Sequence, residues 1–290
     1  MTHAELPSAR WILLGPDLGT SWSKPGRNNL ELLLLIGVLA YGAATVTYLV
    51  SLWTDRPSVA TSGNLLFRTA LVYWAGLMIY LGVPHVYGAG IRPWLWTSAW
   101  GLGVVYSLLQ RRYSLSALGS FVAALSTLLS TLALAATESG GPLVEGSLAG
   151  WFLRTHIALA FLGVIAFAFA SAVSVVYLIE ARMLKQKRRI TPKHRLPPLE
   201  LLDRLALRSI LIGFPFYTIA LLMGSAQAMR LGSTDLKVSY VVALLSWCVY
   251  GVVLQARLTA GWRGRRAATL TLIGLFGIIL VLVQYSMGNA

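Results

Sequence analysis

The chain is 290 residues long, 57% of it hydrophobic and only 12% charged, where a soluble domain carries about 45–50% apolar and about 25% charged residues. The apolar content excludes disorder, and the single cysteine, Cys248, excludes a scaffold stapled by disulfides within the chain. A mean hydropathy of +0.69 leaves an all-α polytopic membrane protein. The net charge of +14 would suit nucleic acid unless its placement explains it otherwise.

In chain order, residues 1–29 read as an irregular external arm. Pro7, Gly15, Pro16, Gly19 and Pro25 interrupt it, and its apolar stretch 11–15 is too short for the core of a cleavable signal. Residues 30–290 form the membrane domain. A bilayer core is about 30 Å thick and takes roughly 17–25 mostly apolar residues per helix. That criterion predicts eight spans: 32–53, 65–83, 94–109, 115–136, 153–179, 210–229, 239–254 and 267–285. The runs are too long, and alternate too little, for an outer-membrane barrel.

The basic residues orient these spans. Seventeen of the 24 Lys and Arg fall in or beside the odd-numbered loops, nine of them between Arg182 and Arg208, and seven fall on the other side. Cytoplasmic loops are enriched in Lys and Arg, so the odd loops are expected inside and both termini outside, in a bacterial cytoplasmic (inner) membrane. The charge is then a topology signal. The run 185–195 also suits anionic lipid head groups. No nucleic acid is expected, because that loop has neither interleaved aromatics nor a nucleic-acid-binding motif. The hydrophilic segment 180–208 has room for one amphipathic helix before span six.

Signatures of soluble enzymes are absent. There is no phosphate loop ending in GKS/T, no GxSxG, no HExxH and no CxxC, and no enzymatic activity is expected. The spans hold no carboxylate cluster of the kind an ion-driven pump needs. A small-molecule transporter is disfavoured, because no inverted repeat is visible and span six alone, with Pro215, looks broken.

Ionisable side chains in membrane spans are functional candidates by default. Of the four histidines, His3 lies in the arm and His194 in the basic loop. His85 follows Pro84 at the outer end of span two, and His156 lies one turn into span five. His156 shares a helical face with Ala160, Gly163, Phe167, Ala170 and Ser174. Small residues let membrane helices approach closely, so that face is expected to pack inward. His156 then suits an axial ligand to haem iron or a proton-handling group, or a histidine simply hydrogen-bonded to neighbouring backbone. Trp94, Trp96, Trp100 and Trp151 suit an interfacial belt or a porphyrin shelf. Met223 and Met229 are thioether candidates, though methionine more often packs.

Several segments resemble one family. Residues 213–228, GFPFYTIALLMGSAQA, are similar to the segment leading into the external loop of cytochrome c assembly membrane proteins of the CcmC/CcsA/HemX type. Residues 247–266, WCVYGVVLQARLTAGWRGRR, resemble the segment after that loop. The stretch WFLRTHIALAFLGVIAFAFA, followed by VVYLIEARMLK, resembles the helix with the first external haem-ligand histidine, and YSLSALGSFVAALSTL is compatible. The resemblance implies a bundle of about eight helices that binds or presents haem at the outer face, for delivery to apocytochrome c. His156 falls on the axial-histidine position, as tentative ligand to the haem iron. His85 is the substitute within the chain for the missing second histidine. The alternative substitute is a second subunit.

The departures from the family pattern are specific. Where the tryptophan-rich WxWDPKE-type loop belongs, the chain reads MRLGSTDLKVS, keeping Asp235 and Lys237. Gln255 stands at the histidine of the LHAR-like position, and the chain ends YSMGNA in place of a GLHSY-like segment. These point to the HemX-like branch. Its members imply an alternative role: a regulator or scaffold of haem biosynthesis acting through the basic cytoplasmic loops. The expected partners are the lipid bilayer and either cytochrome c assembly proteins or a haem-biosynthesis enzyme.

Overall fold

A computed structural model describes residues 27–54, 57–81, 91–113, 116–136, 148–186, 197–230 and 238–287. These residues form eight helices and no strand. They are α1 Arg27–Trp53, α2 Pro57–Leu81, α3 Arg92–Arg112, α4 Ser116–Ala135, α5 Leu148–Lys185, α6 Leu199–Arg230, α7 Val238–Leu258 and α8 Arg265–Met287. Each predicted span falls on one helix in the predicted order. The expected arm lies mostly in residues 1–26, outside the described residues, and Arg27 already opens α1.

Seven of these helices are long and apolar enough to cross a membrane, and α3 is the exception. Its Trp, Gly, Thr and Ser residues dilute the apolar run expected at 94–109. Packing compensates for that composition. Trp94, Leu95, Trp96, Ser98, Ala99, Leu102 and Tyr106 are all buried, and α3 lies against α2, α4 and α5. A helix walled off by protein needs less apolar surface than one facing lipid. Leu32, Val72, Ile79, Leu222 and Phe276 are exposed on other helices, as lipid-facing residues are.

One expectation is corrected and another lies partly outside the described residues. Residues 187–196 of the segment with room for an amphipathic helix are outside them; of the rest, α5 continues to Lys185 and α6 starts at Leu199, so charged turns extend both helices beyond their apolar windows and no separate helix stands there. The Glu200–Arg204 pair, four residues apart at 3.7 Å, is the helical spacing that permits this. Nor does Pro215 break span six, since α6 runs through it from Leu199 to Arg230. Proline deletes one backbone hydrogen bond, and the packing of α6 along α5 holds the remainder of the helix.

The helices associate as two sets, α1–α4 and α5–α8, joined where α5 meets α3 and α4 and where α8 meets α4. Within lipid the hydrophobic drive between helices is weak, so close packing and hydrogen bonds hold the bundle. Three rings and two gaps lock the second set. Phe167 of α5 stacks on Tyr250 of α7, with centroids 3.8 Å apart and planes 6° from parallel. Tyr217 of α6 meets the edge of Phe167 at 5.5 Å. A Cβ at position 213 would lie 3.1 Å from the Phe167 ring, and one at position 274 would lie 2.7 Å from the Tyr250 ring. Gly213 and Gly274 therefore leave the space that lets α6 and α8 close on the stack. Hydrogen bonds from Trp247 Nε1 to Thr218 Oγ1 (2.8 Å) and between the Thr45 and Thr127 hydroxyls (3.0 Å) add polar ties within the two sets.

Candidate functional site

At one end of the bundle α5 carries His156 against α6. The inward face predicted for α5 is present: Phe167, Ala170 and Ser174 are buried, and Gly163 sits against Tyr217. His156 itself is half-buried. Its Nδ1 lies 2.8 Å from the carbonyl oxygen of Ala220. A carbonyl can only accept, so Nδ1 carries the ring proton and donates it. Nε2 is left with its lone pair. A hydrogen bond to one nitrogen fixes both tautomer and ring orientation, as it does for metal-ligating histidines. The ring also depends on Gly224, one turn beyond Ala220. A Cβ there would lie 3.0 Å from Cε1 and 3.6 Å from Nε2 of His156.

Aromatic and charged side chains flank His156 along α5. Trp94 of α3 stacks on Phe161 of α5 at 6.0 Å. Arg154 lies over the Trp151 ring at 5.9 Å, and Trp151 is exposed. Trp94 and Trp96 are buried, and the Trp100 indole donates to Leu71 O at 3.2 Å. Trp94 and Trp96 pack the interior and Trp100 is half-buried, in place of the expected belt, and of these four candidates Trp151 has belt-like exposure. Met229 is 80% exposed and turned away from the bundle, while Met223 is half-buried. Among the described residues no three of His, Cys, Asp and Glu gather to hold a metal ion.

The opposite end is built around an ion pair. Arg257 Nη1 of α7 lies 3.3 Å from Asp203 Oδ1 of α6 and 3.2 Å from the Asp203 carbonyl oxygen. The same carboxylate accepts from the Gly264 N–H at 3.4 Å. Gly264 has φ +78°, a left-handed conformation that favours glycine, and a Cβ there would come within 2.8 Å of the Tyr177 hydroxyl on α5. One carboxylate thus gathers α6, α7 and the turn before α8. Glu180 on α5 is also buried, and its Oε2 has no hydrogen-bond partner.

The sequence profile of the Cytochrome C assembly protein family matches residues 93–288, which runs from the start of α3 to the end of α8. The chain belongs to the cytochrome c assembly protein family. It is a multi-pass membrane protein of that family. It is 28% identical over 279 residues to a cytochrome c biogenesis protein CcsA of Chlamydomonas reinhardtii, covering 92% of this chain and 74% of the relative. A CcsA of Guillardia theta is 28% identical over 60% of this chain and 65% of its own length. A CcsA of Synechococcus sp. (strain JA-2-3B'a(2-13)) is 39% identical over 94 residues, 31% of this chain and 26% of the relative. No solved structure matches. The expected assignment to a HemX-like branch gains no support from these relatives, each of which is a CcsA.

Within this assembly-family bundle, the structure brings together His156 and the 213–228 segment that carries part of the resemblance, through Ala220 and Gly224. His85, His3, His194, Asp235 and Lys237 lie outside the described residues, as does most of the basic run 185–195. Gln255 faces outward, whereas Arg257, two residues on, is buried. Sequence reasoning missed the Asp203–Arg257 pair because both residues were assigned to solvated loops. It missed Glu180 because the apolar window of span five ended one residue earlier. Helical spacing was the available signal: Val173, Val176 and Glu180 share one face and are all buried.

Proposed function

We propose that this assembly-family protein handles haem at the His156 end of the bundle, where His156 Nε2 would hold the haem iron. The observation that carries the reading is the Nδ1–Ala220 hydrogen bond, which leaves Nε2 as the base. Iron, when bound, supplies the Lewis acid. The chain supplies a neutral imidazole, its orientation by the α6 carbonyl, and the gap at Gly224. Support comes from the family and from relatives named for cytochrome c assembly and biogenesis, since cytochrome c is itself a haem protein. The role is binding and presentation without catalysis, alongside other cytochrome c assembly proteins. His85, or a residue of a second subunit, would be the second group to hold the iron in this reading. The basic end faces the cytoplasm of a bacterial inner membrane, and His156 faces outward. The alternative of a haem-biosynthesis regulator acting through basic loops is not favoured.

Purified protein loaded with haem is expected to show a Soret band that His156→Ala abolishes or shifts, while His85→Ala changes the ligation state. A wild-type protein that never shows the band in excess haem, or a His156→Ala variant that keeps it unchanged, defeats the proposal. Gly224→Val provides a second check. Its side chain would occupy the space of the imidazole edge, so haem affinity should fall at least ten-fold with His156 still in the chain. For orientation, a cysteine placed in the 187–195 loop should react only with a membrane-permeant reagent in intact cells.

A further inference from the structure

The α7–α8 turn carries charge that the bundle does not use. Between residues 254 and 266 there are four arginines and no carboxylate. Arg257 is neutralised by Asp203. Arg263, Arg265 and Arg266 are exposed, and no ion pair to them occurs among the described residues. Trp262, immediately before Arg263, is also exposed, and the Arg266 guanidinium lies 6.0 Å from the centroid of its ring.

The turn is also held rigidly. The Trp262 N–H donates to Ala256 O at 3.0 Å, and the Ala260 N–H donates to the same carbonyl at 3.1 Å. Gly261, at φ +62°, supplies a left-handed residue that reverses the chain. Gly264 is tied to Asp203 and abuts Tyr177. The three free guanidiniums are thus displayed on a fixed frame at the ends of two membrane-spanning helices, α7 and α8. That position lies at the head-group level of the bilayer, where Trp is favoured and Arg can pair with phosphate in a two-pronged fork.

We propose that the α7–α8 turn is a binding site for anionic phospholipid head groups, with Arg263, Arg265 and Arg266 taking the phosphate and Trp262 seated at the membrane interface. This site is independent of haem and stands whether or not His156 ligates iron. Charge complementarity favours a lipid over a soluble acidic protein. The arginines border the ends of α7 and α8, where Leu258, the last residue of α7, is exposed, and a head group is the anion already present at that level.

The test uses the full chain in neutral detergent, titrated with phosphatidylglycerol or phosphatidylcholine and read by native mass spectrometry. A basic residue near an anionic membrane surface contributes about five-fold in affinity. The wild type should therefore prefer phosphatidylglycerol by more than ten-fold, Arg265→Gln should weaken that binding about five-fold, and the triple Arg263→Gln/Arg265→Gln/Arg266→Gln variant should lose the preference. The triple lysine variant should keep it, which separates loss of charge from loss of fold. The proposal is overturned by equal binding of the two lipids or by a preference unchanged in the triple glutamine variant. Loss of preference in the lysine variant also overturns it. So does complete displacement of phosphatidylglycerol by millimolar inorganic phosphate, which would mark a free-phosphate site. Binding of an acidic peptide in place of phosphatidylglycerol would mark a protein-docking surface and overturn it as well.

Discussion

Replacing Asp203 by alanine is expected to destabilise the bundle by about 3–5 kcal/mol. The cost comes from the partner left behind. The Arg257 side chain is 3% exposed, and its Nε already lacks a hydrogen-bond partner, so without Asp203 a guanidinium charge is buried with nothing opposite it. The same substitution removes the acceptor for the Gly264 N–H and loosens the turn into α8. Arg257→Met should cost less, because the Asp203 side chain is 18% exposed and can turn to water. The double variant Asp203→Ala/Arg257→Met should recover most of the loss, as removing both charges relieves the uncompensated one. Unfolding of detergent-solubilised protein by SDS, followed by circular dichroism, gives the three values. A double variant no more stable than Asp203→Ala would show that the hydrogen bonds of Asp203, and not the charge of Arg257, set the cost.

Phe167→Ala is expected to be the most damaging core truncation, at about 2–3 kcal/mol. In water-soluble cores such a change costs about 3–5 kcal/mol, part of it for transfer out of water and part for the cavity. In a membrane the unfolded side chain also lies in an apolar medium, so the transfer part shrinks and the lost contacts remain. Those contacts are concentrated here. Phe167 touches Tyr250 face to face and Tyr217 edge on, and Gly213 and Gly274 leave room for the Phe167 and Tyr250 rings. Alanine would leave α5, α6 and α7 around a gap that glycines cannot fill. The same SDS titration measures it. A loss no larger than that of Phe161→Ala, whose ring makes the more distant stack with Trp94, would show that the surrounding helices collapse into the space.

Much of the fold is legible in composition. Length and apolarity alone locate the helices, since a bilayer demands a run of fixed length and the backbone must satisfy itself within it. The inward face of α5 is legible from Gly163, Phe167, Ala170 and Ser174 by helical period. The errors share one cause. Apolar windows measure affinity for lipid, so they cut α5 short of Glu180, leave Asp203 in a loop, and assign Trp94 and Trp96 to an interface that the structure replaces with protein. The candidate site was half legible. His156 stands out as an ionisable group on an apolar helix, but Ala220 contributes only a backbone carbonyl, and any residue type would supply one.

By itself the sequence determined a helical membrane bundle, its helix order, its two unequally charged ends and His156 as the histidine to watch, because these depend on properties each residue carries alone. Only the tertiary structure decided which nitrogen of His156 is free, why residue 224 is glycine, and that Arg257 is neutralised while Arg263, Arg265 and Arg266 meet no carboxylate among the described residues. Those facts depend on pairs of residues brought together from different helices, such as Asp203 and Arg257, and the separation of two residues along the chain carries no measure of that distance.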